Sequence, residues 1–536
     1  MKQLKLGFTL CHSELNNFDF IIVGAGTAGC VVARRLIEST ECSVLLLEAG
    51  PRYPAWLLDP PLPGMKIGRF FSWGQKSIPQ ARLGGRRIEW PMGKVVGGSS
   101  SINAMMGFMG HPANFDAWEA AGNPGWSSKN LAPIFSRVFG NSLDAPLDWT
   151  RGGMLSLSQP RFRSPHSEAF LRACAEDGLV EETPLTGRVA GRCGYFPVLQ
   201  RDGARFESAK GYLDPVASHP RLKLATNLQV RRILFEKQRA VGIEVELGGR
   251  METYRASSGV VVCAGAFQSP RILQSSGIGP EKILQSAGIR PRLDLPAVGE
   301  NFQDHLRLGL RHLSGRVSPG GKRHMIPEML RYFLRRDGVM ASNCCEAGAF
   351  FCSRPEVAVP DLQLVTHFQT FGSKQQVATD ICLLATKSRG RVFLDPRNPF
   401  GAPLVDANFL AEEEDVAALV AGLQRARSIA SRAALRDFPL LSETGPEPLA
   451  RDDESLRAAI FREVTTAYHP TGTCSMGPVG TGALGPDLRV HGTDCLWVAD
   501  ASAMPTSPSG NITCQVVVLA EKAAELIVGH TAPPAP

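Results

Sequence analysis

Three stretches of this chain carry residue types that could do chemistry. In GAGTAG, residues 24–29, Gly24, Gly26 and Gly29 stand in G-x-G-x-x-G spacing, and Glu48 closes the later apolar run VLLLE. The first glycine permits a tight turn, and the second lets backbone approach a pyrophosphate with no Cβ in the way. The third lets the following helix pack close to the strand. An acid at position 48 can accept hydrogen bonds from an adenosine ribose diol. The second stretch, GKVVGGSSSIN at 93–103, offers bare backbone at Gly93, Gly97 and Gly98, then three serine hydroxyls. It reads either as another place where amides meet a polar cofactor or as a serine-rich cap on the next helix. The third is YHPTGTCSMG at 468–477, with His469 as a candidate base. A lone histidine is more often structural, so spacing alone assigns it no role.

These groups need elements to position them. Residues 18–23 (FDFIIV) are an apolar, branched run that predicts a buried strand, VVARRLIES predicts a helix, and 43–47 a second strand. The helix would turn its N-terminal amides toward the phosphates. Residues 50–90, rich in proline, glycine and aromatics, predict a long irregular connection of the sort that lines sites. A helix is expected within 107–139, a loop over 140–165 and a helix over 165–177. The alternation of 221–247 predicts antiparallel strands. GVVVCA at 259–264 predicts another buried strand, leading into the strand-to-helix turn GAFQSPRILQSSGIG. Residues 305–400 are assigned to a substrate-side sheet. ALVAGLQRARSIAS predicts a helix with the acidic run 412–415 as a solvated cap on its N-terminus. The ends, 1–17 and 531–536, are expected to be flexible.

The composition excludes several classes. With 536 residues, 43% of them hydrophobic, the chain can bury a large core in two or more domains. A net charge of +7 with no basic block interleaved with aromatics does not imply nucleic acid. Thirteen cysteines without metal-ligand spacing read as reduced thiols, and no metal is expected. The first seventeen residues make no convincing signal peptide, and the best apolar window, 514–528, is interrupted by Glu521, Lys522 and Glu525. The expectation is a soluble cytoplasmic protein, at most peripheral to the inner membrane.

With GENFQDHL at 299–306 and VADASAMPTSPSGNIT at 498–513 added, the chain resembles the glucose–methanol–choline (GMC) flavoprotein oxidoreductases from 18 to 528. Within that family it looks most similar to bacterial alcohol, choline and sorbose dehydrogenase-like members. The resemblance implies an α/β fold: a Rossmann-like FAD-binding domain from 18–154, 205–304 and 470–530, and a substrate domain with an antiparallel sheet backed by helices from 155–204 and 305–469. It implies FAD contacts from Gly24, Gly26, Thr27, Ala28, Gly29, Glu48 and Ala49. It adds Val96, Gly98, Ser99, Asn103 and Ala104 by the ring and phosphates, and Val230 by the adenine. Asp500 and Ala501 match the pyrophosphate and ribityl positions, and Asn511, Ile512 and Thr513 open the last helix. Some relatives bond FAD covalently through a histidine where this chain has Ile102, so noncovalent FAD is expected.

The resemblance also implies the reaction. An alcohol loses its hydroxyl proton to His469 and a hydride to flavin N5, leaving an aldehyde or ketone. Asn511 would donate a hydrogen bond to the developing alkoxide. His305 is read as packing and hydrogen bonding. Glu346 is a candidate for meeting a polar or cationic group of the substrate, with a buried, paired acid as the equal alternative. The competing readings are a lyase that keeps FAD structurally, as hydroxynitrile lyases of the family do, and a non-catalytic flavin-binding protein. The alcohol and the electron acceptor, whether oxygen, quinone or cytochrome, stay open.

Overall fold

The computed structural model describes residues 16–140, 153–247, 249–314, 325–371, 374–436, 440–445, 448, 450 and 452–531. Most of the expected flexible ends, and 141–152 of the expected loop, lie outside them. The run Asn17–Val23 is β1, with Val44–Glu48 (β2) parallel on one side. Leu222–Thr226 (β3) extends the sheet beyond β2, also parallel. Gln229–Glu236 (β4) and Arg239–Leu247 (β5) form an antiparallel hairpin, and Arg250–Val262 (β6) returns the chain to β1. The order is β4-β5-β6-β1-β2-β3, and the short strand Leu496–Val498 pairs with the end of β6 as the seventh. Strands paired on both edges and covered on both faces need no polar alternation, which is why VLLLE and GVVV are continuous apolar runs.

Two expectations change here. Residues 222–226 run parallel to β2, and the antiparallel pairing begins only after the left-handed Asn227. Alternation reports which face is wet; it does not report strand direction. Residues 107–139 hold two helices, Pro112–Ala120 and Ser128–Phe139, separated by the glycine-proline turn around Pro124.

Thr27–Ser39 (α1) follows the glycine turn and packs against the terminal helix Thr513–Thr531. Glu521, the acid that breaks the longest apolar window, is fully buried there. Its carboxylate accepts from Arg35 Nε (2.8 Å), Arg137 Nη2 (2.9 Å) and Tyr212 Oη (2.7 Å). Among the described residues, no helix is long and apolar enough to cross a membrane.

The second sheet has eight strands. Its centre is Leu306–Ser314 (β7), Ala347–Phe351 (β8), Leu362–Phe371 (β9) and Lys374–Leu383 (β10), in the order β7-β10-β9-β8 and antiparallel throughout. Arg192–Tyr195 extends it beyond β8 and Leu440–Gly445 lies outside β7. Helix Glu413–Ala430 backs it, with Gly422 close against Ile381. The acidic cap of that helix is not wholly solvated. Asp415 is buried, and its carboxylate accepts from the backbone N–H of Lys387 (2.7 Å) and Ser388 (2.9 Å).

Candidate active site

A cavity of about 440 Å³ is lined by residues of both sheets. Gly24, Gly26, Thr27, Ala28, Glu48, Ala49, Gly98, Ser99, Asn103, Ala104, Val230, Asp500, Ala501, Asn511, Ile512, Thr513 and His469 all line it. Gly29, Val96 and Glu346 do not.

At one end the backbone does the work. Gly24 has φ +105, and Gly29 lies so close to the turn that a Cβ there would sit 1.8 Å from the Gly24 carbonyl oxygen. Gly29 therefore serves the fold. Gly26 differs: its backbone is extended, and the nearest protein atom to an added Cβ is Gly98 Cα at 3.8 Å. Gly26 caps α1 with no side-chain hydrogen bond, leaving first-turn amides for an anion. Glu48 is buried, accepts from the N–H of Ala25 (3.1 Å) and Gly50 (2.9 Å), and is pushed up by burial to about 7. Asp500 ties two segments together, accepting from Gly265 N (2.8 Å), Ser269 Oγ (2.6 Å), Ser502 N (2.8 Å) and Ser502 Oγ (2.6 Å). Val96 is packed in the core behind the glycine loop.

Two buried arginines join these segments, Arg205 from outside the quoted motifs and Arg271 from within the GAFQSPRILQSSGIG turn. Arg205 Nη1 donates to Asn103 Oδ1 (2.9 Å) while Asn103 Nδ2 donates to Thr513 Oγ1 (3.2 Å), joining the serine loop to the last helix. Arg271 lines the cavity and donates to the carbonyl of Val230 (2.9 Å). Burial holds both guanidinium groups down, to about 10.

At the other end side chains do the work. His469 follows Tyr468, a left-handed residue with φ +70. Buried Asp304 fixes this corner: one oxygen accepts from His469 N (2.9 Å), the other from Trp90 Nε1 (2.7 Å) and the Thr466 hydroxyl. Burial raises the Asp304 carboxyl to about 6. Asn511 Nδ2 lies 3.0 Å from His469 Nε2. On the far side of the ring, His469 Nδ1 lies 3.0 Å from His305 Nδ1, and His305 Nε2 lies 3.1 Å from Ser507 Oγ, which is half-buried. Only one proton fits between the two Nδ1 atoms. Burial, then the neighbouring His305 and Arg307, hold the His469 imidazolium pKa well below its usual range, and burial lowers His305 to about 4. Both rings are therefore neutral near pH 7. His305, expected to pack and to hydrogen-bond, makes that hydrogen bond to the candidate base itself.

The second sheet supplies the facing wall. Arg307 on β7 donates to Asp380 Oδ2 on β10 (3.0 Å) and to Tyr468 Oη (3.1 Å), and all three line the cavity. Glu346 stands away from it. Its buried carboxylate accepts from Ser164 N (2.6 Å), Ser167 Oγ (3.0 Å) and Ser342 Oγ (2.6 Å). Successive residues of an extended segment face opposite ways, and here Cys345 faces the cavity and Glu346 the sheet's other side. The paired-acid alternative describes Glu346, and the substrate contact does not.

A parallel-sheet dinucleotide cradle joined to a histidine–amide pair under an antiparallel sheet defines the class: an α/β oxidoreductase. The sequence pattern of the GMC oxidoreductases matches residues 18–307 and, in its C-terminal part, 386–520. The chain belongs to the GMC oxidoreductase family. It is 35% identical over 529 residues to an alcohol dehydrogenase [acceptor] of Pseudomonas putida, spanning 95% of this chain and 96% of that one. It is 33% identical over 537 residues to an oxygen-dependent choline dehydrogenase of Staphylococcus aureus, covering 96% and 94%. Among solved structures it is similar to pyridoxine 4-oxidase from Mesorbium loti, with a TM-score of 0.84 and 28% identity over 95% of this chain and 98% of that one.

Proposed function

We propose that this protein oxidises an uncharged alcohol to an aldehyde or ketone, using noncovalently held FAD and His469 as the acceptor of the hydroxyl proton. One observation carries the reading: His469 Nε2 and Asn511 Nδ2, 3.0 Å apart, line the same cavity as the glycine turn. The cradle fits a flavin dinucleotide. The uncapped start of α1 and the gap over Gly26 suit the pyrophosphate, and Glu48 suits a ribose diol. Ile102, also on the cavity wall, has no atom that could bond the ring covalently. When bound, FAD supplies the hydride acceptor.

The chain's own residues handle the proton. With the Asn511 amide donating, His469 Nε2 carries the lone pair and Nδ1 carries the hydrogen. The bond at Nδ1 then runs from His469 to His305, and His305 Nε2 donates to Ser507 Oγ. A proton arriving at Nε2 would leave a buried imidazolium close to Arg307, which is costly. Passing the Nδ1 proton to His305, and the His305 Nε2 proton to Ser507 Oγ as that half-exposed hydroxyl gives its own proton to water, returns both rings to neutrality and releases the charge to solvent. The second N–H of Asn511 is available to the alcohol oxygen as its charge grows. On the wall Arg307 and Asp380 are paired with each other and Glu346 is occupied elsewhere, so neither carboxylate is free to meet a quaternary ammonium. That favours uncharged alcohols over choline, while the two relatives divide, one named for alcohols and the other for choline.

The test is anaerobic mixing with primary, secondary, aromatic and quaternary-ammonium alcohols, followed by flavin absorbance. Bleaching by an uncharged alcohol is expected. Cyanohydrin cleavage with no bleaching would make the protein a lyase. On acid precipitation the yellow colour is expected in the supernatant, and a yellow pellet would contradict noncovalent binding.

A further inference from the structure

Helix Met325–Arg335 is mounted with its apolar face outward. Ile326, Met329, Leu330, Phe333 and Leu334 recur at i, i+3, i+4, i+7 and i+8, the spacing of one continuous stripe. All five are exposed, Ile326 at 73% and Leu334 at 76%. The opposite face carries the attachment: Tyr332 is 1% exposed and packs in a small cluster with Val339, Met340 and Leu62. Glu328 turns inward too, accepting from Val339 N (3.2 Å). A water-facing helix ordinarily presents the reverse arrangement.

The neighbouring surface continues the pattern. Segment Pro61–Gly68 packs on the same cluster, and the elements flanking it expose Trp56 (68%) and Phe70 (88%). Cations are interleaved with these rings and chains: Lys66, Arg69, Arg331, Arg335 and Arg336 are exposed, against Asp337, which binds Arg331. Large apolar side chains with arginine and lysine among them match the chemistry of an anionic bilayer interface, where the chains enter the acyl boundary and the cations meet headgroup phosphates.

We propose that this helix, with Trp56 and Phe70, docks the protein on the surface of an anionic lipid bilayer, lying in the interface without crossing it. The consequence concerns the cavity. Met65 and Arg69 line it, and Phe70 is the next residue, so the docked face adjoins the cavity wall. An alcohol or electron acceptor dissolved in lipid would arrive on that side.

The test is flotation of the flavin-loaded protein with vesicles of phosphatidylcholine alone or mixed with phosphatidylglycerol. Leu330→Glu/Phe333→Glu is the partner variant; both positions are solvent-facing and outside the cavity. The wild type is expected to float with the anionic vesicles, roughly tenfold more tightly than with neutral ones, and less so in about 0.5 M salt. The variant is expected to lose at least about tenfold in binding while keeping its flavin content and its melting temperature. Equal flotation of the variant, or indifference to lipid charge, would overturn the proposal. So would a wild type that stays in solution, which would mean the stripe is covered by the rest of the chain. A dimer on gel filtration that the variant converts to monomer would assign the face to a second copy and overturn it as well. None of these readouts requires the protein to oxidise an alcohol, so the proposed activity stands or falls separately.

Discussion

The two sheets build their halves of the cavity by different means. On the first, mixed sheet the working groups are chiefly backbone, an uncapped helix end and a bare turn, beside two carboxylates that mostly hold loops in place. On the antiparallel side they are side chains, namely Arg307, Asp380 and Cys345, set by strand register, with His469 held at a strained corner beside them. Backbone chemistry needs glycine at fixed spacing, so it leaves a mark in the sequence. Side-chain chemistry on a sheet needs only the right parity and register, which any residue string can satisfy.

The largest effect separates two glycines within the same turn. Gly29→Val puts a side chain into the Gly24 carbonyl and is expected to yield no soluble folded protein. A Cβ at Gly26 meets nothing closer than Gly98 Cα, so Gly26→Val is expected to fold and melt like the flavin-free wild type while purifying colourless. Equal flavin content in Gly26→Val and wild type would break the claim that this glycine serves a ligand and Gly29 the fold.

Next in size is His469→Ala, expected to slow flavin reduction by roughly 10²–10⁴ with the flavin still bound. The pH profile of the wild type sharpens this. Because the His469 imidazolium pKa is held well below 6.5, Nε2 stays unprotonated through the neutral range. The reduction rate is therefore expected to be flat at and above pH 6.5 and to fall only further into acid. An acid limb centred at or above 6.5 would remove the neutral ring from the mechanism.

The difference between the halves also explains what the sequence disclosed. The glycine turn and Glu48 were legible because each sits in a run whose residue types are constrained locally, whereas the serine loop kept two readings and the pair His469 and Asn511 came only from the family resemblance. Arg205 and Arg271 were not singled out: Arg205 lies outside the motifs and reaches the cavity only through Asn103, and the turn that holds Arg271 does not state its burial against the wall. Glu346 was left between two readings because its distance from the cavity depends on the facing of one residue, and neither composition nor motif states that facing. Likewise the parallel course of 222–226 is a tertiary choice that alternation cannot express.

His305→Ala tests the relay with a smaller effect, about tenfold on flavin reduction. A merely structural histidine would give the same loss in every buffer. Here the proton still reaches His469 but has lost its way out, so small imidazole buffers are expected to restore the rate in a concentration-dependent way. Ser507→Ala should show a weaker version of the same dependence. Loss without rescue would return His305 to packing.

Glu346→Gln is expected to change least. Its oxygens accept from one backbone N–H and two serine hydroxyls, and the hydroxyls can rotate to accept from an amide, so the cost is about 1 kcal/mol. Rates and KM values for charged and uncharged alcohols should match the wild type within about twofold, since the carboxylate does not line the cavity. Stability carries the distinguishing sign. Burial raises this carboxyl above its ordinary 4.5, so the folded state holds its proton to higher pH than the unfolded state does. Its contribution is therefore present below 4.5 and is lost as pH rises through the folded value. The amide has no proton to lose. The melting temperature of Glu346→Gln relative to wild type should then climb between pH 4.5 and 8, while a gap that widened against the variant over that range would mean the carboxylate is held ionised by a partner.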